Sequence, residues 1–480
     1  MEIMIQETNK EKKVNMPRTL VKESAEKIGE KIRINGWIGA RRDHGKIIFI
    51  DLKDISGALQ VVFIPKDKEL YKMAESLGLE FAVSIEGQIN QRPEKMVNDK
   101  ISTGKVEMLA EKLEILSKSE NLPFELDADK EPNEGIRLEY RYLDLRREKM
   151  RENIFLRGRV IKFMRQYFWN EGFTEIETPL LTKSTPEGAR DYIVPARLEQ
   201  GKFYALPQSP QQYKQLLMVA QFEKYFQVAR CLRDEDTRGD RQPEFTQFDV
   251  EMSFIEQEDI INLMENMLIE LAKKETPEKH ITKVPFPRIT YKEAMEKYNS
   301  DKPDLRENKN DKNELAFCWI VDFPMFEWKE TENRWDATHH PFTMPQEQDI
   351  EKIKKDPGKI LAFQYDITLN GYEVGGGSIR SHKPEILEAV FETMGHTKEN
   401  IQQKFGHLLK AFKFGVPPHG GIALGLDRLI MILRNEKSIR DVIAFPKTGD
   451  GRDLMMNAPS EVDDAQLKEL NIKIVNKDKK

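Results

Sequence analysis

Within Phe245–Phe254 the side chains alternate in character. Phe248, Val250, Met252 and Phe254 fall on one side of an extended chain, and Gln247, Asp249, Glu251 and Ser253 fall on the other. A period of two marks a strand with two unlike faces. Such strands belong to antiparallel sheets, because parallel strands are apolar on both sides. Phe363–Leu369 repeats the pattern, with Phe363, Tyr365, Ile367 and Leu369 opposite Gln364, Asp366, Thr368 and Asn370. A solvated sheet face accounts for one such strand. Two of them in one region favour a wet pocket lined by amides and carboxylates.

Asn370-Gly371 follows the second strand and predicts a two-residue type I′ hairpin turn. A regular ladder from that turn pairs Leu369 with Tyr372, Thr368 with Glu373, and Asp366 with Gly375. Asp366 and Glu373 are then diagonal neighbours, roughly 7–8 Å apart at Cα, within reach of one divalent cation. Elsewhere in this half strands and helices mix without the regular alternation of a parallel sheet. The expected fold class is therefore α+β, an antiparallel sheet flanked by helices. Ile154, Ile161, Met164 and Phe168 form one stripe of a helix over Glu152–Asn170. The polar run at residues 307–313 reads as an exposed loop.

Residues Lys31 to Ser117 read differently, as about five short strands with one helix, Lys68–Leu77, among them. That order predicts a small closed barrel of the oligonucleotide-binding (OB) type. The expected division is a polar tail over 1–17, the barrel over 18–118, a linker over 119–136 and the larger domain over 137–480. A chain of 480 residues has room for both. Its net charge of −6 argues against a general cationic coat for nucleic acid and leaves room for a local basic surface. No apolar run reaches the ~18 residues of a membrane helix. The first fifteen residues lack the apolar core of a secretory signal, and Cys231 and Cys318 have no metal-ligand spacing. The expected setting is cytoplasmic.

There is no phosphate loop of the G-x-x-x-x-G-K-[ST] type, no G-x-S-x-G and no His-Glu-x-x-His. Phosphates, if bound, fall to arginines and metal. The densest charged cluster is Arg233–Phe245, where Arg233 and Glu235 share a face. Arg233 can fork a phosphate or carboxylate, and Glu235 can accept from an exocyclic amine. Out of context such a loop is surface decoration.

This loop, with Phe245-Thr246-Gln247-Phe248-Asp249, resembles motif 2 of class II aminoacyl-tRNA synthetases. Gly421–Arg428 resembles motif 3, and Gly172–Pro179 resembles motif 1. Within the Asp/Asn/Lys subgroup, Thr185–Tyr192 and Gln208–Gln215 are similar to the aspartyl-tRNA synthetases. The resemblance runs from about Arg41 to Pro459 and implies activation of L-aspartate by ATP, then transfer to tRNA-Asp. It implies catalytic roles for Arg233, Arg428 and Glu373. It assigns Lys214 and Arg380 to the substrate side-chain carboxylate, with Glu187, Gln211 and Asp249 facing the ammonium. Ser209 and Arg233 would also contact aspartate, and His339 would close over it. His339 and His340, as adjacent side chains, point apart and do not chelate together. For ATP it implies Arg233, Asp234, Glu235, Gln242, Glu373, Gly425, Leu426, Asp427 and Arg428. Asp366 and Glu373 would hold magnesium.

On composition alone Phe49 reads as barrel core. The resemblance makes it a stacking platform for an anticodon base, with Arg42, His44, Gln60 and Lys95 around it. His44, in the loop Arg41–Lys46, resembles members that charge both tRNA-Asp and tRNA-Asn, where strict ones carry a bulky aliphatic residue. Lys95 stands where relaxed members often have Gly, so the two markers point opposite ways. A homodimer is implied, the helix Glu152–Asn170 and the motif 1 strand supplying the buried stripe. The domain that bacterial members carry between motifs 2 and 3 is expected to be absent, since Asp304-Leu305-Arg306 is followed only by ENKNDKN. A regulatory paralogue would have lost motif arginines or the barrel. An asparaginyl enzyme would have little use for Lys214 beside Arg380.

Overall fold

A computed structural model of the protein describes residues 16–99, 101–127, 130–184, 188–237 and 239–475, and the elements below are counted among those residues. The chain divides into two compact units that part between Glu125 and Leu126, inside the expected linker.

The first unit is a closed barrel. Its strands are β1 (Lys31–His44), β2 (Ile47–Asp54), β3 (Gly57–Phe63), β4 (Ala82–Gln91) and β5 (Val106–Ser117), joined around the barrel in the order β1-β2-β3-β5-β4. Helix α1 (Lys68–Glu75) lies between β3 and β4 in sequence, started by Asp67, whose carboxylate accepts from the Glu69 and Leu70 amides. Alternate residues Ile48, Ile50 and Leu52 enter the core with Ile32, Ile34, Val61 and Ile85. One expectation is corrected here. Arg41–His44 are not loop residues but the exposed end of β1, where His44 pairs with Ile47 and only Gly45 and Lys46 turn. Arg42, Asp43 and His44 are exposed there, and Arg41 donates to the Glu75 and Leu77 carbonyls, so polar residues continue the strand.

The second unit is built on an eight-stranded sheet. Its first elements are α2 (Glu148–Asn170), β6 (Thr174–Glu175), α3 (Gln211–Val219), β7 (Lys224–Leu232), β8 (Glu244–Ser253) and α4 (Gln257–Glu275). The remainder are β9 (Arg288–Thr290), β10 (Phe317–Val321), β11 (Gln364–Leu369), β12 (Tyr372–Ile379), β13 (His419–Gly425) and α5 (Leu426–Leu433). The order is β9-β10-β11-β12-β13-β8-β7-β6, antiparallel except for the outermost pair at each edge. Helices α2, α4 and α5 cover the apolar face, where Leu156, Val160, Met164 and Phe168 pack with Phe226, Phe248 and Val250. Most of the α2 stripe expected to meet a partner is therefore spent on the chain's own core. The helix also starts a turn earlier than its apolar spacing predicts.

The β11–β12 hairpin turns at Asn370-Gly371, both at positive φ (52° and 87°), as a type I′ turn requires. Thr368 pairs with Glu373 as expected. The ladder then shifts between Ile367 and Thr368, so that Asp366 faces Gly376 rather than Gly375. A bulge of one residue, absorbed around Val374, causes the difference.

Candidate active site

The polar faces of β8, β11 and β12 enclose a cavity of about 370 Å³ with the loop Arg233–Pro243, the N-terminus of α3 and the start of α5. At one end, four charged side chains are buried together. Lys214 of α3 reaches Asp249 at 2.6 Å and Glu251 at 3.1 Å, both on the polar face of β8. Arg380, just past β12, grips Glu251 through two parallel bonds of 3.0 and 3.1 Å and donates to Ser378 Oγ at 2.6 Å. Gly421 of β13 lies opposite Glu251, and a Cβ there would sit 2.2 Å from the Glu251 carboxylate. The glycine is what lets a charged pair occupy the sheet surface.

The electrostatics follow from this packing. Burial pushes Glu251 up, but Arg380 and Lys214 outweigh it and hold the carboxyl down at about 2. Asp249 is raised by burial, which Lys214 only partly offsets. Behind them His419 is fully buried; its Nε2 lies 3.3 Å from Gln215, and burial lowers it to about 4. Around the cavity Asp249 Oδ2, Gln211 Nε2, His340 Nε2 and Arg428 Nε are closed to solvent without a hydrogen-bond partner among the described residues. Both signs of charge thus present polar atoms to the cavity, the chemistry an amino acid needs.

The other end is cationic and acidic in turn. Arg233 lies 5.1 Å over the Phe245 ring and donates to the Gln208 carbonyl at 3.4 Å. Arg428 donates to the Glu373 carbonyl and reaches Asp240 at 3.2 Å. Glu235 meets Arg241 at 3.4 Å, and buried Gln242 accepts from the Lys447 amide at 2.7 Å. Asp366 accepts from Gln364 at 2.7 Å, and its second oxygen is 3.8 Å from His339 Nε2. Burial, with Glu373 nearby, pushes Asp366 up to about 7 although His339 opposes it. A cation between the two carboxylates would relieve that cost. No cluster of three or more acidic, His or Cys ligands occurs among the described residues. Two hard oxygens therefore fit magnesium only where phosphate oxygens complete its shell.

Ser209, Gln211, Lys214, Arg233, Glu235, Gln242, Asp249, His339, Asp366, Glu373, Arg380, Gly425, Asp427 and Arg428 all border the cavity. Three expected residues do not fit so simply. Leu426 is buried in the core, so only its backbone could serve a nucleotide. Asp234 pairs with Arg190 as an isolated bridge and is not among the cavity's lining residues. Glu187 lies outside the described residues. Asp427 borders the cavity, yet its carboxylate is engaged by Arg157 of α2 and by the Thr246 amide at 2.9 Å. Glu251 lies on the polar face that the alternation predicts, though the sequence suggests no role for it, and His340 enters there only as half of a histidine pair that does not chelate. The two rings diverge, His339 toward Phe323 and His340 toward Phe342, yet both border the cavity.

In the barrel unit Phe49 turns outward, opposite in sense to Ile48 and Ile50, and is half-buried. It pairs with Arg42 and Val62, and the His44 ring meets it edge-on at 5.8 Å. Arg42 forks Asp51 at 2.7 and 2.9 Å, and Gln60 donates to Glu107 at 2.8 Å. These residues share one outer surface. Lys95 is exposed in the separate turn Glu94–Met96.

The family model of class II tRNA synthetases (D, K and N) matches residues 133–449, and that of an OB-fold nucleic acid binding domain matches 32–116. The chain is similar to the aspartate-tRNA(Asp/Asn) ligase of Rubrobacter xylanophilus, 42% identical over 94% of this chain and 95% of the relative. It is 43% identical to that of Dictyoglomus turgidum, over 94% and 97%. The first alignment spans 573 positions, more than the 480 residues of this chain, so the relative carries residues that this chain lacks. In structure it resembles asparaginyl-tRNA synthetase from Pyrococcus horikoshii, with a TM-score of 0.72 at 21% identity over 90% of this chain and 98% of that one. The chain belongs to the class II tRNA synthetases of the D, K and N group.

Proposed function

We propose that this chain is an aspartate-tRNA ligase, which activates L-aspartate with ATP and esterifies the 3′ end of tRNA. The observation that carries the amino-acid assignment is the pairing of Lys214 with Arg380 in a buried pocket. Although Asp249 and Glu251 already partner them, two cations side by side suit an anionic side chain better than a neutral amide, which offers one oxygen and brings two N–H groups toward them. Gln211 and Asp249 face the ammonium. Relatives bearing that activity in their names span nearly the whole chain.

Arg233 forks the α-phosphate and draws the substrate carboxylate into line with the α-phosphorus. The carboxylate oxygen attacks, pyrophosphate leaves, and Arg428 takes up charge on the departing group. Glu235 and Gln242 hold the nucleotide. Asp366 and Glu373 would hold magnesium, which when bound supplies positive charge against the phosphates. The tRNA 3′-terminal hydroxyl then attacks the aspartyl carbonyl, and AMP leaves. Purified protein is expected to catalyse aspartate-dependent ATP–pyrophosphate exchange without tRNA. Lys214→Met should raise the aspartate KM by roughly 10- to 100-fold, with a much smaller change for asparagine. Equal changes for both amino acids would remove the charge-pairing role.

We also propose that both tRNA-Asp and tRNA-Asn are charged. The curated relatives carry Asp/Asn in their names, and His44 edges the Phe49 ring, where an imidazole can donate or accept. His44→Leu should shift aspartylation toward tRNA-Asp, read on transcripts of the two tRNAs. An unchanged ratio counts against His44. We place the protein in the cytoplasm; among the described residues no helix is long and apolar enough to cross a membrane.

We infer a homodimer through the surface that remains exposed near motif 1, where Trp169, Leu180 and Leu181 are each about half-exposed. Sedimentation at micromolar concentration should give twice the 56.0 kDa chain mass. A monomer would overturn it.

A further inference from the structure

The backbone dictates the hydrogen-bonding state of His340. Its Nδ1 accepts from the Phe342 amide at 3.3 Å. The ring is held 4.7 Å from Phe342, which is itself buried against Phe391 and Phe405. A neutral imidazole that accepts at Nδ1 carries its proton on Nε2. That Nε2 is closed to solvent and has no partner among the described residues, and the ring borders the cavity. Protonation of the ring is opposed by burial, then by Arg380, Lys214 and Arg233, so it stays neutral.

We propose that His340 is a specificity-determining residue whose Nε2–H donates to the side-chain carboxylate of the bound amino acid beside Lys214 and Arg380. The inference rests on the aspartate reading above. Its physical content is a third donor without a third charge. A carboxylate offers about four lone-pair positions and can accept from all three groups. An amide offers one oxygen and brings two N–H groups, so it satisfies fewer of these three donors than a carboxylate does.

The experiment compares His340→Gln, His340→Asn and His340→Leu by ATP–pyrophosphate exchange with aspartate and with asparagine, after each is checked for native unfolding temperature. Glutamine carries a donor to about the Nε2 position, and asparagine stops short of it. The aspartate KM should rise roughly 10- to 100-fold for the Leu and Asn variants and stay within about fivefold for Gln. The ATP KM should be unchanged throughout, and the preference for aspartate over asparagine should narrow in Leu and Asn alone. If Leu does not fold, the Asn–Gln difference decides by itself. Equal losses in Asn and Gln, or equal losses for both amino acids, would overturn the donor role while leaving the aspartate assignment intact. Absence of aspartate exchange in the wild type would overturn both.

Discussion

Arg233→Ala is expected to lower aspartate-dependent ATP–pyrophosphate exchange by roughly 10²-fold or more, with the fold intact. The residue sits at the cationic end of the cavity, its guanidinium stacked on Phe245 and donating through a long bond to the Gln208 carbonyl. Removing it takes away no core packing, so the unfolding temperature should barely move. What is lost is a fixed cation at the point where negative charge accumulates as the carboxylate meets the α-phosphate. A single preorganised donor of that kind accounts for about 3–4 kcal/mol of transition-state stabilisation. Arg233→Lys should recover little, because an ammonium cannot fork two oxygens. Near-normal exchange in Arg233→Ala would remove this arginine from the mechanism.

The second large effect concerns stability as well as activity. Glu251→Ala leaves Arg380 and Lys214 buried with one carboxylate, Asp249, between them. Breaking a buried pair in this way costs about 3–5 kcal/mol, since the stranded charge has no water to turn to. Glu251 also has a pH signature. Its carboxyl lies near 2 in the folded chain against 4.5 for an ordinary glutamate. A lowered value contributes stability above the unfolded pKa, and that contribution fades as pH falls from 4.5 toward 2, by roughly 3 kcal/mol in all. Urea melts of wild type and Glu251→Gln should therefore converge as pH is lowered through that window. A constant gap between them would show that the carboxylate stabilises through its shape and not its charge.

How much of this was legible in the sequence varies by residue. The alternation in Phe245–Phe254 was enough to put Asp249 and Glu251 on a pocket wall, because the side-chain period of a strand needs no tertiary information. It could not separate their duties. The partner that distinguishes Glu251 is Arg380, 129 residues away, and no local pattern contains it. The hairpin turn was legible in Asn370-Gly371, and the bulge beyond it was not. Gly375-Gly376-Gly377 carries no side chains to reveal which face each residue takes, so a one-residue slip leaves no trace. Arg41–His44 looked like a loop because none of the four is apolar and none is buried, so no alternation marks the strand that β2 pairs with. The apolar stripe of α2 was read correctly as a packing surface, but amphipathicity does not say whether the chain itself or a second copy covers it.

Asp427 has a mechanical consequence. Its two oxygens tie Arg157 on α2 to the Thr246 amide on β8, while its own backbone forms the first turn of α5 beside Arg428. Helix, strand and phosphate-facing arginine thus share one joint. A push on α2 is not dissipated in soft loop before it reaches the nucleotide end of the cavity; it arrives through a short, stiff linkage of two hydrogen bonds and one peptide unit.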